Sequence, residues 1–453
     1  MSMMKEQYDV VVIGAGGAGM TAALQASELG ASVAVLEKEA KAGGNTNRAS
    51  SGMNAAETDV QLQHRVTDSM TAFYHETFQG GGRLNDPAML DFFVHHAPLA
   101  IDWLAARRMP LTSLTITGGM TKPRTHRPQS TAPVGNYLVK GLLARLKEKR
   151  VPVFTNSRVS NLLTNDHRIT GVEVDQDGHL QTIQTKAVIV ATGGFGANAK
   201  LISRLRPDLS GLKTTNQPGA TGDGLQLAEE VGAAVRDLPF IQVHPTVQQD
   251  QPHAFLIGEA VRGEGAILVG QNGRRFINEL ATRRVVSNAI FALPEKSAYL
   301  IFDQSVRERA KAIDFYCHVG LVKQADSLTE LGKTIGIDGG QLTATVQNWN
   351  QIVEQHQEDS LKRTTGRHPL KKGPFYAIHV APAIHYTMGG LHTDPQTRVL
   401  DANGQPIAGL YAAGEVVGGL HGNNRIGGNS IAETVVFGRQ AGIQAASDLR
   451  DCE

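Results

Sequence analysis

Cysteine is scarce in this chain, with Cys317 and Cys452 the two examples among 453 residues. Two thiols cannot build a disulfide framework, a thiolate zinc site or an iron-sulfur cluster. The heme-attachment pattern C-x-x-C-H is absent as well. We therefore expect no metal centre and no covalently attached heme within these residues.

Net charge and long apolar runs are also missing. Lys and Arg number 44 against 43 Asp and Glu, a formal charge of +1, which argues against nucleic-acid binding and against adhesion to an anionic membrane. No apolar run reaches the roughly 18 residues of a membrane-spanning helix, and Met1 to Tyr8 lacks the pattern of a secretory leader. The sequence predicts a soluble, cytoplasmic protein with no membrane span.

Glycine, in contrast, is abundant, with 49 residues, many of them beside short apolar runs. A strand signal from Tyr8 to Ile13 leads into the G-x-G-x-x-G segment Gly14 to Gly19 and a helical stretch to Leu29. A second strand, Ser32 to Leu36, precedes Glu37. This order is typical of a dinucleotide-binding unit, in which a helix N-terminus approaches a pyrophosphate and the acidic residue holds a ribose hydroxyl.

The rest of the chain predicts one domain interrupted by another. Short strands from Val151 to Val190, with a hairpin turn at Asp177-Gly178, indicate a β-meander inside a parallel α/β domain. A composition shift near Pro239 lasts to about His385 and includes a helix whose Trp349 we expect in the core. We predict an α/β fold, with a Rossmann-like domain of residues 1–238 and 386–453 and a smaller α+β domain of residues 239–385.

Nine segments carry a resemblance to a known family. They are VVVIGAGGAGM, GGNTNRASSGMNA from Gly43, ATGGFG from Ala191, ATGDG from Ala220, HPT at His244, GEAVRGEGAILV from Gly258, NELATRR from Asn278, HYTMGG from His385 and AAGEVVGGLHGNNRIGGNS from Ala412. Together they resemble the flavoprotein subunits of the fumarate reductase and succinate dehydrogenase family, most closely the soluble flavocytochrome c type of fumarate reductase. The resemblance covers nearly the whole chain.

The resemblance implies FAD as the cofactor. Membrane-bound relatives attach their flavin to a histidine in the loop that corresponds to Gly43 to Gly52, which here has none, so we expect noncovalent FAD. Glu415 corresponds to a ligand of the ribityl hydroxyls, and the helix that opens at Asn429 would stabilise the anionic reduced flavin. The expected FAD-binding residues are Gly14, Gly16, Gly17, Ala18, Gly19, Glu37, Lys38, Gly43, Gly44, Asn45, Thr46, Ser51, Gly52, Val159, Ala191, Thr192, Gly193, Asp223, Gly414, Glu415, Asn429, Ser430 and Ile431.

The resemblance also implies reduction of fumarate to succinate, which requires a hydride, a proton and cations for the carboxylates. By resemblance, the substrate carboxylates are bound by His244, His385 and Arg425. Arg283 matches the family's proton donor, and Glu259 and Arg262 match its proton relay. Arginine is an awkward acid, so a purely electrostatic role for Arg283 stays open. Arg275 and Arg284 are expected to be ordinary solvated charges, and His126 and Arg127 to be structural.

Several alternatives remain at this stage. Many fumarate reductases have a hydroxyl residue where this chain has Gly258, so a different or bulkier unsaturated acid is a competing substrate. The other readings are an L-aspartate oxidase, although those relatives usually continue into a further helical domain, and a silent flavin-binding redox module. Because the chain starts at the FAD unit, we expect a separate electron donor, a reduced flavin or a redox protein. We also expect residues 239–385 to form a mobile cap.

Overall fold

The computed structural model describes residues 4–130, 132–251 and 254–450, so Cys452 lies outside the described residues. Within this part of the chain, no helix is both long enough and apolar enough to cross a membrane. The structure divides into two compact units. Unit 1 comprises Met1–Ser210, Asn216–Gln242 and Tyr386–Glu453, and unit 2 comprises Gly211–Thr215 and Val243–His385.

The helices of the described residues are numbered α1 to α14 in chain order. They are Gly17–Glu28, Asp59–Gln63, Met70–Gly80, Pro87–Ala106, Val134–Glu148, Ala199–Leu205, Asp223–Glu230, Glu259–Gly263, Arg283–Phe291, Gln304–Arg309, Ala312–His318, Leu328–Ile335, Gly339–Glu354 and Asn429–Arg450. Two short 3₁₀ helices span Gly44–Arg48 and Pro207–Leu209.

The strands of the described residues are numbered β1 to β20 in the same way. They are Val10–Ile13, Val33–Leu36, Met53–Asn54, Ser113–Thr115, Thr125–Arg127, Val153–Phe154, Ser157–Asn165, Arg168–Gln176, His179–Gln184, Ala187–Val190, Val235–Arg236, Ile241–Gln248, Phe255–Leu256, Ile267–Val269, Ala298–Asp303, Lys323–Ala325, Phe375–Thr387, Gly390–Leu391, Arg398–Leu400 and Pro406–Ala412.

Unit 1 is built on a nine-stranded sheet whose central order is β6-β2-β1-β10-β20-β8-β7. The neighbours from β6 to β20 run parallel, and β1, β2 and β10 are buried along their whole length, as expected for strands covered on both faces. The strands β7, β8 and β9 form an antiparallel meander that turns at Asp177 and Gly178, both with positive φ. The predicted α/β class and its meander are confirmed.

Two glycine positions explain how the elements of unit 1 approach so closely. Gly14 has φ +103°, and a Cβ there would lie 2.4 Å from the carbonyl oxygen of Ala191. On α14, a Cβ at Gly442 would lie 2.4 Å from the carbonyl oxygen of Ala22 on α1. Only glycine therefore allows β1 to turn beside β10 and α14 to pack against α1.

Unit 2 has a six-stranded sheet of order β13-β12-β17-β15-β14, with β16 also paired to β17. Its core contains Trp349 of α13, which is fully buried as predicted. The unit starts at Val243 rather than at Pro239 and also takes in Gly211–Thr215. That short piece is held by backbone hydrogen bonds, because the amide of Thr215 donates to Ile384 and the amide of Ile384 donates to Lys213.

Candidate cofactor and substrate sites

The parallel sheet of unit 1 brings four chain segments to one edge, which we call the cofactor edge. The strands β2, β1, β10 and β20 are neighbours, and Glu37, Gly14, Ala191 and Glu415 follow their respective carboxyl ends. Ligands of open parallel α/β sheets bind outside these carboxyl ends. The structure thus collects most of the predicted FAD-binding residues at the place where such a ligand is expected.

The glycines at this edge have two different roles. A Cβ on Gly19 would lie 2.0 Å from the carbonyl oxygen of Gly14, so packing excludes a side chain there. A Cβ on Gly16 or Gly193 would meet no atom within 4 Å, and one on Gly44 would meet only the Cα of Gly16, at 3.8 Å. The space at Gly16 and Gly44 lies beside the N-terminus of α1, because Gly16 is the N-cap of that helix, and this is the environment that a pyrophosphate requires.

Polar side chains surround this space. The amide of Gly17 donates to Thr46 Oγ1 at 3.0 Å, and Asn45 donates to Glu415 Oε2 at 3.3 Å. The amide of Thr387 donates to Glu415 Oε1 at 3.1 Å. Burial raises the pKa of Glu415 to about 7, and the hydrogen bonds from Thr387 and Asn45 partly oppose this rise. A buried carboxylate with amide donors on one side is well suited to accept hydrogen bonds from the hydroxyl groups of a ribityl chain.

Glu37, Lys38 and Asp223 also belong to unit 1. The carboxylate of Glu37 accepts from the amides of Ala15 and Glu39, both at 2.9 Å, which fixes it beside the glycine turn. Lys38 Nζ lies 3.1 Å from Asp223 Oδ2. Burial alone would raise the pKa of Asp223, but the hydrogen bond from Thr221 and the charge of Lys38 hold it below its ordinary value.

The predicted helix at Asn429 is present as α14, with no acidic residue in its first turn. Asn429 is fully buried, and its Oδ1 accepts from Asn54 Nδ2 at 2.7 Å. The N-terminus of α14, which carries the positive end of the helix dipole, is therefore fixed within unit 1, and its first turn contains no acidic side chain. The remaining predicted cofactor residues all lie in unit 1, in the loop after β2, on β7, after β10 and β20, or on α1 and α14: Ala18, Gly43, Ser51, Gly52, Val159, Thr192, Gly414, Ser430 and Ile431.

In unit 2, three of the predicted catalytic residues form one group, which we call the Glu259 cluster: Glu259, Arg262 and Arg283. Arg283 Nε donates to Glu259 Oε1 at 2.7 Å, and Arg262 lies 4.0 Å from the same oxygen. Glu259 opens α8 and Arg283 opens α9. Burial lowers the pKa of Arg262, the charge of Glu259 opposes this, and the charge of Arg283 adds to it.

The two predicted substrate histidines are neighbours in unit 2. The rings of His244 and His385 have their centroids 5.3 Å apart at a steep angle. His385 Nδ1 is 2.8 Å from Thr215 Oγ1, and His244 Nδ1 accepts from the amide of Thr246 at 3.3 Å. If His244 is neutral, its proton therefore resides on Nε2. The hydrogen bonds fix both rings, which suits them to present donors to a carboxylate.

Arg275 does not behave as predicted, because it is not a solvated charge. It pairs with Glu279 at 2.8 Å and with Asp359 at 3.0 Å, and its guanidinium stacks 4.4 Å from the centroid of Trp349. Arg363 binds the other side of Glu279 at 3.0 Å. We call Arg275, Glu279, Asp359 and Arg363 the Glu279 cluster. Arg275 is paired because it is buried, and a buried charge requires partners of opposite charge.

Arg425 belongs to unit 1 and is buried. Its guanidinium carbon lies 4.5 Å from the ring centroid of Tyr386, and Gln242 Nε2 donates to its backbone carbonyl at 2.8 Å. The hydroxyl of Tyr386 donates to Glu433 Oε2 at 2.6 Å, and His421 Nε2 is 3.0 Å from the same oxygen. Arg425 thus rests on an aromatic ring that is itself held by a buried carboxylate.

His126 has the buried environment of a structural residue. It has no exposed surface, and its Nε2 lies 2.8 Å from Thr58 Oγ1. Burial lowers the pKa of His126 to about 4, and the hydrogen bond to the Arg124 carbonyl only partly opposes this. A histidine that stays neutral in this way joins α2 to the three-stranded sheet of β3, β5 and β4.

The fold and the cofactor edge define a dinucleotide-binding α/β protein. The family described as FAD binding domain matches residues 9–431. NADH:fumarate oxidoreductase of Klebsiella pneumoniae is 47% identical over 447 residues, which are 98% of this chain and 48% of that protein. The fumarate reductase (cytochrome) of Shewanella frigidimarina is 44% identical over 444 residues, which are 97% of this chain and 77% of that protein.

A solved structure, the open conformation of a flavocytochrome c3 fumarate reductase, is similar with a TM-score of 0.86 and 38% identity, covering 98% of this chain and 79% of that one. The chain therefore belongs to the FAD binding domain family, and its cofactor is FAD. The predicted family and the FAD-binding fold are confirmed. The chain spans about half the length of the Klebsiella relative, whose length is covered to 48%.

Several residues around these sites were missed in the sequence. Thr387 and Asn216 hold Glu415 and Asn45, Thr215 holds His385, and Tyr386 supports Arg425. Tyr386 and Thr387 follow the predicted substrate ligand His385 in the segment HYTMGG, so their position in that motif was a signal. Thr215 and Asn216 offered none, because their partners are distant in the sequence.

Proposed function

We propose that this chain reduces fumarate to succinate with FAD. Support comes above all from the Glu259 cluster, in which one carboxylate contacts two guanidiniums. The relatives named as fumarate reductases support the same reaction. Bound FAD, when reduced, supplies a hydride to one alkene carbon. The protein must then supply a proton to the other carbon and bind two carboxylates.

In this proposal, His244, His385 and Arg425 bind the carboxylates. The planar guanidinium of Arg425 offers two parallel N–H donors to one carboxylate, and its support by Tyr386 limits the orientations it can adopt. Fixed donors bind the substrate without reorganising during the reaction, so they also stabilise the charge that develops on the carboxylate attached to the carbon that receives the proton.

Arg283 donates the proton in this proposal, and Glu259 and Arg262 return one to it. The 2.7 Å hydrogen bond from Arg283 to Glu259 is short enough for a proton to move between them. Arg262 lies beside both and disfavours a second full positive charge on its neighbour. One hydride and one proton added to fumarate give succinate, so the step balances.

A broader substrate range is the second candidate, favoured by the free space at Gly258. A Cβ on Gly258 would meet only the hydroxyl oxygen of Tyr316, at 3.6 Å. Another unsaturated carboxylic acid therefore remains an alternative substrate within the same chemistry.

The test is an anaerobic experiment on the FAD-loaded protein. The flavin is reduced with dithionite, and its reoxidation is followed at its absorption maximum after addition of fumarate or acrylate. In a parallel experiment, L-aspartate is added to the oxidised protein. We expect rapid reoxidation by fumarate and a slower response in Arg425→Gln, which loses a carboxylate clamp. If no unsaturated acid reoxidises the flavin, the result favours a silent flavin-binding redox module. If the oxidised protein instead consumes L-aspartate, the result favours an L-aspartate oxidase.

The FAD is proposed to be noncovalent, because no histidine stands between Gly43 and Gly52. Acid precipitation should then release the yellow chromophore into the supernatant. Flavin that remains with the protein pellet would contradict this.

Electrons are proposed to come from a donor outside these 453 residues, a reduced flavin or a redox protein, since no C-x-x-C-H segment is present in them. Reduced FMN added anaerobically should reduce the bound FAD and sustain fumarate reduction. A failure of both reduced FMN and viologens to do so would contradict this donor class.

Residues 239–385 are proposed to act as a mobile cap, since His244, Glu259, Arg262, Arg283 and His385 belong to unit 2 whereas Arg425 belongs to unit 1. A substrate that needs all six residues would favour closure, which excludes water. Succinate should slow proteolysis of this segment. An unchanged cleavage rate at saturating succinate would contradict the cap.

A further inference from the structure

Tyr316 of unit 2 places a hydroxyl beside the start of α8. The hydroxyl oxygen accepts from the amide of Gly258 at 3.1 Å, and Gly258 directly precedes Glu259. Tyr316 is 6% exposed. A buried oxygen thus lies next to the first residue of the Glu259 cluster.

The proton of this hydroxyl has no acceptor among the described residues. The bond from Gly258 uses only a lone pair of the oxygen, and the ring packs in the hydrophobic core of unit 2 and against Phe315. Burial raises the pKa of Tyr316, although the Gly258 amide partly opposes this, so the phenol keeps its proton at neutral pH. Buried tyrosine hydroxyls normally find a partner, and a donor left without one is unfavourable.

Gly258 leaves room for such a partner. Its φ of −59° and ψ of 149° suit any residue, so the backbone does not require glycine here. Packing does not require it either, because a Cβ would meet only the Tyr316 oxygen, at 3.6 Å. Gly258 is half-buried and Tyr316 is 6% exposed, so a ligand group beside the hydroxyl would be largely shielded from water.

We propose that Tyr316 binds the substrate, with its hydroxyl donating a hydrogen bond to a carboxylate oxygen in the space beside Gly258. This rests on the proposed function, in which the substrate lies at the Glu259 cluster. The inference specifies the substrate class as an unsaturated dicarboxylate, since a monocarboxylate such as acrylate lacks the second acceptor group. Tyr316 is then a specificity-determining residue rather than a participant in hydride or proton transfer.

The test compares Tyr316→Phe with the wild-type FAD-loaded protein, because phenylalanine keeps the buried ring and removes only the hydroxyl. The KM for fumarate should rise about 10- to 100-fold with kcat nearly unchanged, as expected when a hydrogen bond to a charged group is lost from substrate and transition state alike. The KM for acrylate should stay the same. Tyr299→Phe, at another partly buried tyrosine of unit 2, is the matched control and should change neither value.

A second variant tests the location. Gly258→Ser in the Tyr316→Phe background places a hydroxyl in the same space and should recover part of the fumarate affinity. Equal losses for fumarate and acrylate, or a lower kcat without a change in KM, would mean that Tyr316 only holds the Gly258 amide, which overturns the proposal.

Binding without turnover separates this inference from the proposed function. Fumarate binding to the oxidised protein is measured from the change in the flavin absorption spectrum. If wild type binds fumarate and Tyr316→Phe binds it equally well, the role of Tyr316 is refuted and the proposed function stands. If wild type binds no fumarate at all, both are refuted.

Discussion

Two groups of buried charges in unit 2 use the same side chains in different proportions. In the Glu279 cluster, two arginines face two carboxylates, and Arg275 contacts both. In the Glu259 cluster, two arginines share one carboxylate. Among the side chains named, the first group has as many positive as negative charges, whereas the second has one more positive than negative charge. Removing one member of the buried Glu279 cluster would leave a charge without compensation, and we propose that the excess of positive charge in the Glu259 cluster serves to receive an anion.

The surroundings of the two clusters agree with this difference. The side chain of Glu279 is fully buried, whereas that of Glu259 is 27% exposed. Hydrogen bonds and charges from Glu279 and Asp359 raise the pKa of Arg275 against the effect of burial. Burial lowers the pKa of one arginine in each cluster, Arg363 and Arg262. Arg363 also donates to the backbone carbonyl of Arg262 at 2.7 Å. The neutral cluster therefore supports the helix that carries the charged one.

The largest expected effect concerns Arg283 in the charged cluster. Arg283→Gln should leave FAD content unchanged and dicarboxylate affinity mostly intact, because His244, His385 and Arg425 remain. Turnover should fall roughly 100- to 10,000-fold through loss of the positioned proton donor. Steady-state kinetics with fumarate and a viologen donor measure both quantities. A variant that keeps more than about a tenth of wild-type turnover would rule out Arg283 as the proton donor, since loss of a general acid costs at least about 100-fold.

The next effect is on stability and concerns the neutral cluster. Glu279→Gln removes a charge that faces Arg275 and Arg363, leaving buried guanidiniums short of a partner, which costs about 3 to 5 kcal/mol. For cooperative unfolding of a chain of 453 residues, the unfolding temperature should fall by roughly 3 to 5 °C. Glu354→Gln is the control, because Glu354 pairs with Lys371 at an exposed position and should matter by less than about 1 kcal/mol. Equal melting temperatures for the two variants would contradict a structural role for the neutral cluster.

Glu415 is a buried carboxylate like Glu279, but its direct hydrogen bonds come from the neutral groups Thr387 and Asn45 rather than from arginines. Its pKa is about 7 in the fold against 4.5 ordinarily. Because the folded value is the higher one, ionisation opposes folding, and the stability of the FAD-free protein should fall as pH rises from about 4.5 to about 7. The loss is at most about 3 kcal/mol.

Glu415→Gln should therefore flatten this pH dependence, in contrast to the cost of the same substitution at Glu279. Thermal unfolding of the FAD-free proteins at pH 5 and pH 8 measures the difference. Curves for wild type and variant that stay parallel across this range would show that Glu415 is not the group responsible.

The smallest effect is expected at Arg284, next to Arg283 in the sequence but exposed. Arg284→Gln should change the unfolding free energy by no more than about 0.5 kcal/mol and leave turnover nearly unchanged. The same assays as for Arg283→Gln apply. A large loss of turnover here would mean that positive charge in general, rather than the position of Arg283, sustains the reaction.

Most of the cofactor edge of unit 1 follows from motifs that are visible in the amino-acid sequence. The glycine turn is encoded locally, because Gly14 has a positive φ and a Cβ on Gly19 would meet the carbonyl oxygen of Gly14, whereas the close approach of Gly14 to Ala191 depends on the packing of β1 against β10. The family motifs then named most of the residues that the fold collects there. Unit 2 begins at Val243 and includes Gly211–Thr215, and that inclusion depends on hydrogen bonds to a strand far along the chain.

Which of the arginines pair within the core depends on packing between distant parts of the chain. Arg275 and Arg283 look alike in the sequence, yet Arg275 meets Asp359 and Trp349, more than seventy positions away. The same holds for Tyr316, whose hydroxyl reaches Gly258 across 58 positions. The free energy of a charge or a hydroxyl depends on the solvent and partners that packing leaves around it. Spacing along the chain does not contain that information, so sequence predicts the residue types of such a site but not their pairing.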